Sequence, residues 1–267
     1  MPTMPKEQPV FAEERRQRIA DAVVAQGRVR LADLVEILGV TEPTIRKDLD
    51  ELQRRRLLRR THGGAIAVRS HLEVPISDRR LQHLEAKQLI ARACRDEIAR
   101  GESVFLDSGT TVQEIAEELD HLDLNVLTNA LGVAKLVADR PGLRHTLIGG
   151  QIRALGGSLI GPIALDNLNR FHVDVAFIGA SGLTEDGISV ADVAEAQIKQ
   201  AVIDRARRVI VPIDSSKFGS SDFVTFCDLR RIDMIITERT TGDVTRWCQD
   251  HDVTLRVAPA AGSLYVR

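Results

Sequence analysis

From residue 103 to residue 257 short β-prone runs alternate with helical periodicities, and this alternation constrains the fold more than any other feature of the sequence. The runs at 103–107, 125–128, 144–148, 173–178, 208–213, 232–237 and 254–257 read as strands, and 111–119, 130–139 and 193–206 read as helices between them. Strands separated by helices imply a mostly parallel sheet wrapped by helices, so the fold class is α/β with a Rossmann-like domain.

In such sheets ligands bind beyond the carboxyl ends of the strands. The residues at those ends are small and polar: Asp107-Ser108-Gly109-Thr110-Thr111 after the first strand, Thr128-Asn129 after the second, Gly149-Gly150 after the third and Gly179-Ala180-Ser181-Gly182 after the fourth. The first of these runs straight into a helix. Glycine lets backbone approach a ligand, hydroxyls donate, and a helix start presents free N–H groups with a partial positive charge, which together suit a phosphate. Asp107 would accept from sugar hydroxyls or hold the loop. Each stretch alone reads equally as an ordinary loop; four after four strands favour a site. No GxGxxG or Walker pattern occurs. Lys217, after a later strand, and Lys199 offer charge to an anion, while Glu195 and Lys199 stand four apart and read equally as a surface ion pair.

Ahead of the alternation, 79–100 reads as one long helix, with Leu81, Leu84, Leu89, Ile90 and Ala93 inward. Periodicity lapses around 70–77, where Pro75 breaks the chain. The expected organisation is a first domain in 1–70, a linker at 71–78 and the α/β domain at 79–267.

Within the first seventy residues, Phe11, Arg15, Ile19, Ala22 and Val23 recur at helical spacing up to a break at Gly27. Leu31, Leu34, Val35 and Leu38 form a second, short helix closed by Gly39. Thr41 offers a side-chain cap for a third helix, with Pro43 in its first turn. Two short helices across a tight turn are a helix-turn-helix. On the third, Ile45, Leu49 and Leu52 form the apolar stripe, and Pro43, Lys47, Asp50 and Arg54 project opposite, flanked by Thr44 and Arg46. Such a face suits a major groove; the plainer alternative is a solvated helix. Residues 57–68, LLRRTHGGAIAV, then read as a hairpin wing around Gly63-Gly64. Arg59, Arg60 and His62 lie on it, placed for phosphates or a minor groove, though His62 equally suits a plain turn.

Charge distribution agrees with this division. Residues 1–69 hold 14 Lys and Arg against 10 Asp and Glu, +4, and the remainder holds 22 against 28, −6. That is the asymmetry of a nucleic-acid-binding head on an acidic body. Aromatics make up 3% of the chain, too few for the stacking surface of a single-stranded RNA reader. Cys94, Cys227 and Cys248 lack ligand spacing and are expected reduced and buried, with no metal and no cofactor. Without an apolar run of membrane-spanning length or a signal-peptide pattern, the expected address is cytoplasmic, with no membrane partner.

The string TEPTIRKDLDEL followed by RTHGGA resembles the DeoR family of bacterial regulators, whose signature combines Arg15, Ile19 and Val23 with Thr44-Ile45-Arg46-Lys47-Asp48-Leu49. The resemblance implies a DNA-reading role for Thr41, Thr44, Arg46 and Lys47. Asp48 belongs to the signature, but a carboxylate repels phosphate, so it is assigned to pairing with a neighbouring arginine. LDSGTT, TN, IGG, VDVAFIGASGL, AEAQIK and DSSKF look like the family's sensor domain, extending the resemblance over nearly the whole chain. That domain is similar to ribose-5-phosphate isomerase, in which a GTT-type loop holds phosphate, so the implied effector is a phosphorylated sugar or related metabolite. The competing expectation is an isomerase-like enzyme fused to a DNA-binding head. In the isomerases the strand matching 173–179 continues into a loop with two aspartates; here those places hold Ile178 and Ser181, so no catalytic residue is assigned and binding without turnover is expected. A regulator of carbohydrate-metabolism genes, acting on double-stranded operator DNA as a homodimer or homotetramer, is the resulting expectation.

Overall fold

A computed structural model describes residues 12–26, 28–54, 58–61, 63–67, 76–119 and 123–259. Phe11, Gly27, Leu57, His62, Val68 and residues 71–75, singled out above, lie outside the described residues. Contacts divide the chain into Met1–Leu72 and Glu73–Arg267.

In the first unit helix α1 (Ala12–Gln26) is followed by strand β1 (Arg28–Arg30), helix α2 (Leu31–Leu38), helix α3 (Glu42–Arg54) and strands β2 (Leu58–Thr61) and β3 (Gly64–Ala67). The apolar stripes meet as their spacing requires: Ile19, Val23, Leu34, Ile45, Leu49 and Leu52 share one core. Gly39 ends α2 in the left-handed region, φ 63°, its N–H donating to the Val35 carbonyl at 3.0 Å. Thr41 precedes α3 and accepts at its carbonyl from the N–H groups of Thr44 and Ile45. Its hydroxyl does not cap a backbone N–H as expected; it meets the Thr44 hydroxyl at 3.0 Å. The hairpin gains an unanticipated third strand, in the order β1-β3-β2. Gly64 permits this, since a Cβ there would collide with the Val29 carbonyl of β1.

The second unit begins with α4 (Ile76–Leu81) and α5 (Leu84–Arg95). The single long helix expected over 79–100 is thus two helices, broken where His83 takes φ 54°, and α4 starts inside the expected linker. Neither Gly nor Pro marks that break in sequence. The chain continues through β4 (Ser103–Leu106), α6 (Thr110–Glu118), β5 (Leu124–Thr128), α7 (Leu131–Val137), β6 (Leu143–Leu147), β7 (Gln151–Arg153), β8 (Ser158–Ile160), α8 (Pro162–Leu168) and β9 (Val173–Phe177). After these come β10 (Gly182–Thr184), β11 (Gly187–Val190), α9 (Val193–Ile203), β12 (Ala206–Pro212), β13 (Val224–Cys227), β14 (Met234–Thr237), α10 (Gly242–Asp250) and β15 (Thr254–Val257).

Seven of the strands form one parallel sheet in the order β15-β14-β12-β9-β4-β5-β6. From β4 the chain proceeds outward to β5 and β6, then returns to β9 on the other side and proceeds outward again. The order reverses between β4 and β9, which makes that crevice the topological switch point. Strand alternation divides the interior: Val104, Leu106, Val126, Val175 and Phe177 face a core shared with α5, α6 and α7, whereas Phe105, Leu127, Ala176 and Val209 face one shared with α8, α9 and α10. The three cysteines are free and buried, and burial pushes Cys227 and Cys248 up to about 11. Among the described residues no helix is long and apolar enough to cross a membrane.

Candidate functional site

Two groups of residues stand out, one in each unit. On α3, Ile45, Leu49 and Leu52 are buried, and the opposite face presents Thr41, Arg46, Lys47 and Arg54 to solvent with Thr44 half-buried beside them. Arg46 pairs with Glu42 at 2.6 Å, Arg54 with Glu51, and Arg60 of the wing with Asp50. All are exposed or partly so, and pairs of this kind contribute about 0 to 1 kcal/mol each, so a phosphate can displace the carboxylate. Lys47 makes no hydrogen bond or ion pair among the described residues. Asp48 faces inward and receives Arg15 at 2.6 Å and Arg16 at 3.0 Å, fastening α3 to α1 and leaving the exposed face without that negative charge.

In the second unit a cleft opens at the switch point. The turn from β4 into α6 supplies Ser108, Gly109, Thr110 and Thr111, and the turn after β9 supplies Gly179, Ala180 and Ser181. Gly109 precedes α6 without a side-chain cap, and the N–H groups of Thr110, Thr111 and Val112 have no acceptor among the described residues. They converge with the positive end of the helix on the cleft, an arrangement that binds anions. Lys217 and Glu195 line the same cleft.

Asp107 stands at the start of the β4–α6 turn, fully buried. Its carboxylate pairs with Lys199 and accepts the Gly179 N–H at 2.8 Å, so it ties the two switch-point turns together. Burial pushes the Asp107 carboxyl up, and Lys199 and the Gly179 N–H pull it back. Lys199 is therefore paired across the sheet and not with Glu195. Glu195 instead accepts from Ser158 at 2.8 Å and from Arg153 at 3.4 Å, holding the β7–β8 hairpin to α9. Asp192 caps α9 by accepting from the Glu195 N–H.

Four residues expected in the site lie elsewhere. Thr128 is buried, donating to the Leu106 carbonyl and accepting from the Ala130 N–H. Asn129 is buried against Leu159. The Gly149 N–H donates to Asn167, and Gly150, at φ 147°, lies where a Cβ would overlap Ala164. They follow β5 and β6, which stand outside the reversal, so their small polar character serves packing of the β7–β8 hairpin and α8. Conversely the cleft recruits Arg79 from α4, Gln82 and His83 from the break after it and Lys87 from α5, which sequence reasoning missed. They precede the first strand by some twenty residues, and no strand-end pattern points to them.

Comparison with known proteins identifies a domain in each unit. Residues 15–71 match the DeoR-like helix-turn-helix domain and residues 82–239 the DeoR C terminal sensor domain. The glycerol-3-phosphate regulon repressor of Escherichia coli (strain K12) is 34% identical over 247 residues, 91% of this chain and 98% of its own length. The HTH-type transcriptional repressor GlcR of Bacillus subtilis (strain 168) is 34% identical over 231 residues, 86% of this chain and 90% of its own. Among solved structures, ribose 5-phosphate isomerase A from Methanocaldococcus jannaschii is 17% identical over 49% of this chain and 53% of its own, with a TM-score of 0.35, too slight a likeness to bear on the site.

Proposed function

Because the chain belongs to the DeoR family of transcriptional regulators, we propose that it represses carbohydrate-metabolism genes under the control of a phosphorylated sugar or related metabolite. The helix-turn-helix binds DNA and the C-terminal domain senses an effector; the residues and the ligand are the proposal. In the first domain, read as 1–70, Thr44 and Lys47 face base edges of double-stranded operator DNA with Thr41 beside them. Arg46, Arg54 and Arg60 exchange their carboxylates for phosphates, and His62 is assigned as a further DNA contact. In the sensor domain, read as 79–267, the effector's phosphate sits on the N–H groups of Thr110, Thr111 and Val112 and the hydroxyls of Ser108 and Thr110. Lys217 stands across the cleft, and Asp107 and Lys199 hold the turns in place.

The observation that carries this reading is the uncapped start of α6, opening at the switch point into a cleft with unspent N–H donors. The relatives' names point the same way: one concerns a glycerol-3-phosphate regulon, others a lactose phosphotransferase system. Those relatives are repressors and not enzymes, and Glu195 in the cleft and Asp107 behind it are already paired with cations. A single recognition helix covers few base pairs, so the working form is a homodimer or homotetramer on paired half-sites. Effector binding favours the state in which the heads no longer match half-site spacing, through differential affinity for the two states.

A thermal-shift screen of the full chain against sugar phosphates tests the sensor, since a ligand at 100 times its Kd stabilises by about 2.7 kcal/mol. Each hit is then added to an operator-binding titration. A panel in which no phosphate ester stabilises the protein, or in which every binder leaves DNA affinity unchanged, overturns the proposal.

A further inference from the structure

Among the described residues two cations of the sensor cleft have no ion pair or side-chain hydrogen bond: Lys217, already placed across the cleft, and Arg79. Lys199 is spent on Asp107. Lys87, buried, donates its ammonium to the carbonyls of Arg79 and Gln82 at the end of α4. Arg153 is held by Asp192 and Glu195. Arg79 also lines the cleft, and its Nε is buried without a hydrogen-bond partner. Among the described residues nothing accepts from its guanidinium; Glu195 and Asp222 act on it only through space. Burial pulls Arg79 below the usual guanidinium range, the direction expected of a cation taken out of water with incomplete compensation.

Arg79 is not a wandering surface arginine, because α4 is fastened on three sides. Its first N–H, from Ile76, donates to the Leu155 carbonyl in the β7–β8 turn at 3.2 Å. The neighbouring Arg80 reaches Glu114 at 3.1 Å and Glu117 at 3.0 Å, both on α6, the helix that carries the anion turn. Lys87 closes the other end, from α5. A fixed, partly buried and unpartnered guanidinium beside uncapped helix N–H groups costs free energy in the empty protein and is compensated when an anion arrives.

Resting on the effector-site reading above, we propose that Arg79 is the second anchor of the effector's anionic group, facing it opposite the α6 N-terminus, and that α4 thereby passes occupancy of the cleft to the DNA-binding unit. α4 is suited to this because it is the first described element after β3, and its Ile76 and Arg80 touch the β7–β8 turn and α6 respectively. An anion shared by α4 and α6 acts on the described helix of the second unit that lies nearest in sequence to the first.

The test uses the full chain, inorganic phosphate and the esters that stabilise the wild type as probes, and an operator duplex selected in vitro. Calorimetry reads probe affinity, and the ratio of DNA affinities with and without saturating probe reads the coupling. Arg79→Gln weakens phosphate binding about tenfold or more, and Arg79→Lys, which keeps a point charge without the planar fork, recovers part of the loss. Both variants are compared at matched unliganded Tm. Gly109→Asp, tolerated sterically because a Cβ there meets nothing closer than 3.9 Å, puts a carboxylate at the anion turn and abolishes binding independently of Arg79. Loss of binding in Gly109→Asp with unchanged affinity in Arg79→Gln overturns the Arg79 proposal and leaves the effector site standing. A wild type that binds neither phosphate nor any ester removes the site and this proposal together. If Arg79→Gln binds weakly yet, once saturated, shifts operator affinity by the wild-type factor, the role of α4 in coupling is refuted.

Discussion

On the proposed DNA-reading surface Arg46, Arg54 and Arg60 pair with exposed or partly exposed carboxylates of α3, whereas in the sensor Lys199 meets Asp107 at 3% and 1% side-chain exposure. The chemistry of the two kinds of pair is the same and the surroundings differ. In water the attraction is screened and the partners are exchangeable, as a surface that must trade carboxylates for phosphates requires. Out of water each charge is costly unless its partner is fixed, as in a turn that must be ready before its ligand comes. The first surface should therefore lose binding gradually, residue by residue and with salt; the second should fail through its framework.

The largest expected effect comes from Asp107→Ala. It leaves the Lys199 ammonium buried without its partner and releases the Gly179 N–H, at a cost of about 3 to 5 kcal/mol. Lys199→Met should cost less, because the carboxyl it strands is already pushed up by burial and can take a proton. Urea unfolding of both variants measures this; equal and small losses, below about 1 kcal/mol, would show that the pair is hydrated in solution and erase the contrast with α3.

Asp48→Ala tests whether the contrast follows the unit or the burial. Asp48 is as buried as Lys199 but lies in the DNA-binding unit, and its partners Arg15 and Arg16 retain 11% and 20% exposure. Removing it should destabilise that unit by about 2 kcal/mol, less than the sensor pair because the stranded guanidinium groups reach water. Operator binding then fails by unfolding of the head, seen as lost helical signal below the sensor's transition. A weakened operator complex with the head fully folded would assign Asp48 to DNA recognition instead.

The sequence revealed these regions unevenly, for a physical reason. The five inner strands of the parallel sheet were legible because a strand buried on both faces must be an apolar run, whereas the edge strands β6 and β15 are largely exposed and were marked only by β-prone residues between helices; each of the seven lies within about two residues of its reading. The short antiparallel pieces were missed: β7 with β8, and β10 with β11 and β13, are three or four residues long, below what alternation can mark. α8 left a signal that could have been used, Pro162 at its first turn followed by Ala164 and Leu168. In the cleft lining, Ser108 to Thr111 were legible because a Gly and hydroxyls at a strand-to-helix junction have a local chemical meaning. Thr128, Asn129, Gly149 and Gly150 have the same local look, and only strand order separates them from the cleft. Arg79 has no local mark at all, since its place depends on where α4 breaks from α5 and packs against α6.

Lys47→Ala returns to the exposed surface. A lysine reading a base edge contributes about 1 to 3 kcal/mol of discrimination, while one on a phosphate weakens all sequences alike and lowers the salt slope by about one. Fluorescence titrations against cognate and scrambled duplexes at several salt concentrations separate the two, and phosphate-ester binding by the sensor should be untouched. Equal loss of DNA and ester binding would refute the division of labour between the units.

The smallest effect is also the sharpest test of exchangeability. Glu42 opens α3 and holds Arg46 at 2.6 Å, with both side chains about half exposed. Its removal costs the helix a favourable charge at its N-terminus and one ion pair at i,i+4, together about 0.5 to 1 kcal/mol. Yet Glu42 also places a negative charge beside the surface that must approach phosphates. Glu42→Ala should therefore lower the stability of the first unit slightly while raising DNA affinity about two- to fivefold at low salt, the gain fading as salt screens the repulsion. Stability and affinity moving in opposite directions is the signature of a pair that competes with the ligand. If both fall together, the Glu42–Arg46 pair positions Arg46 for the DNA, and the exposed surface is as preorganised as the buried one.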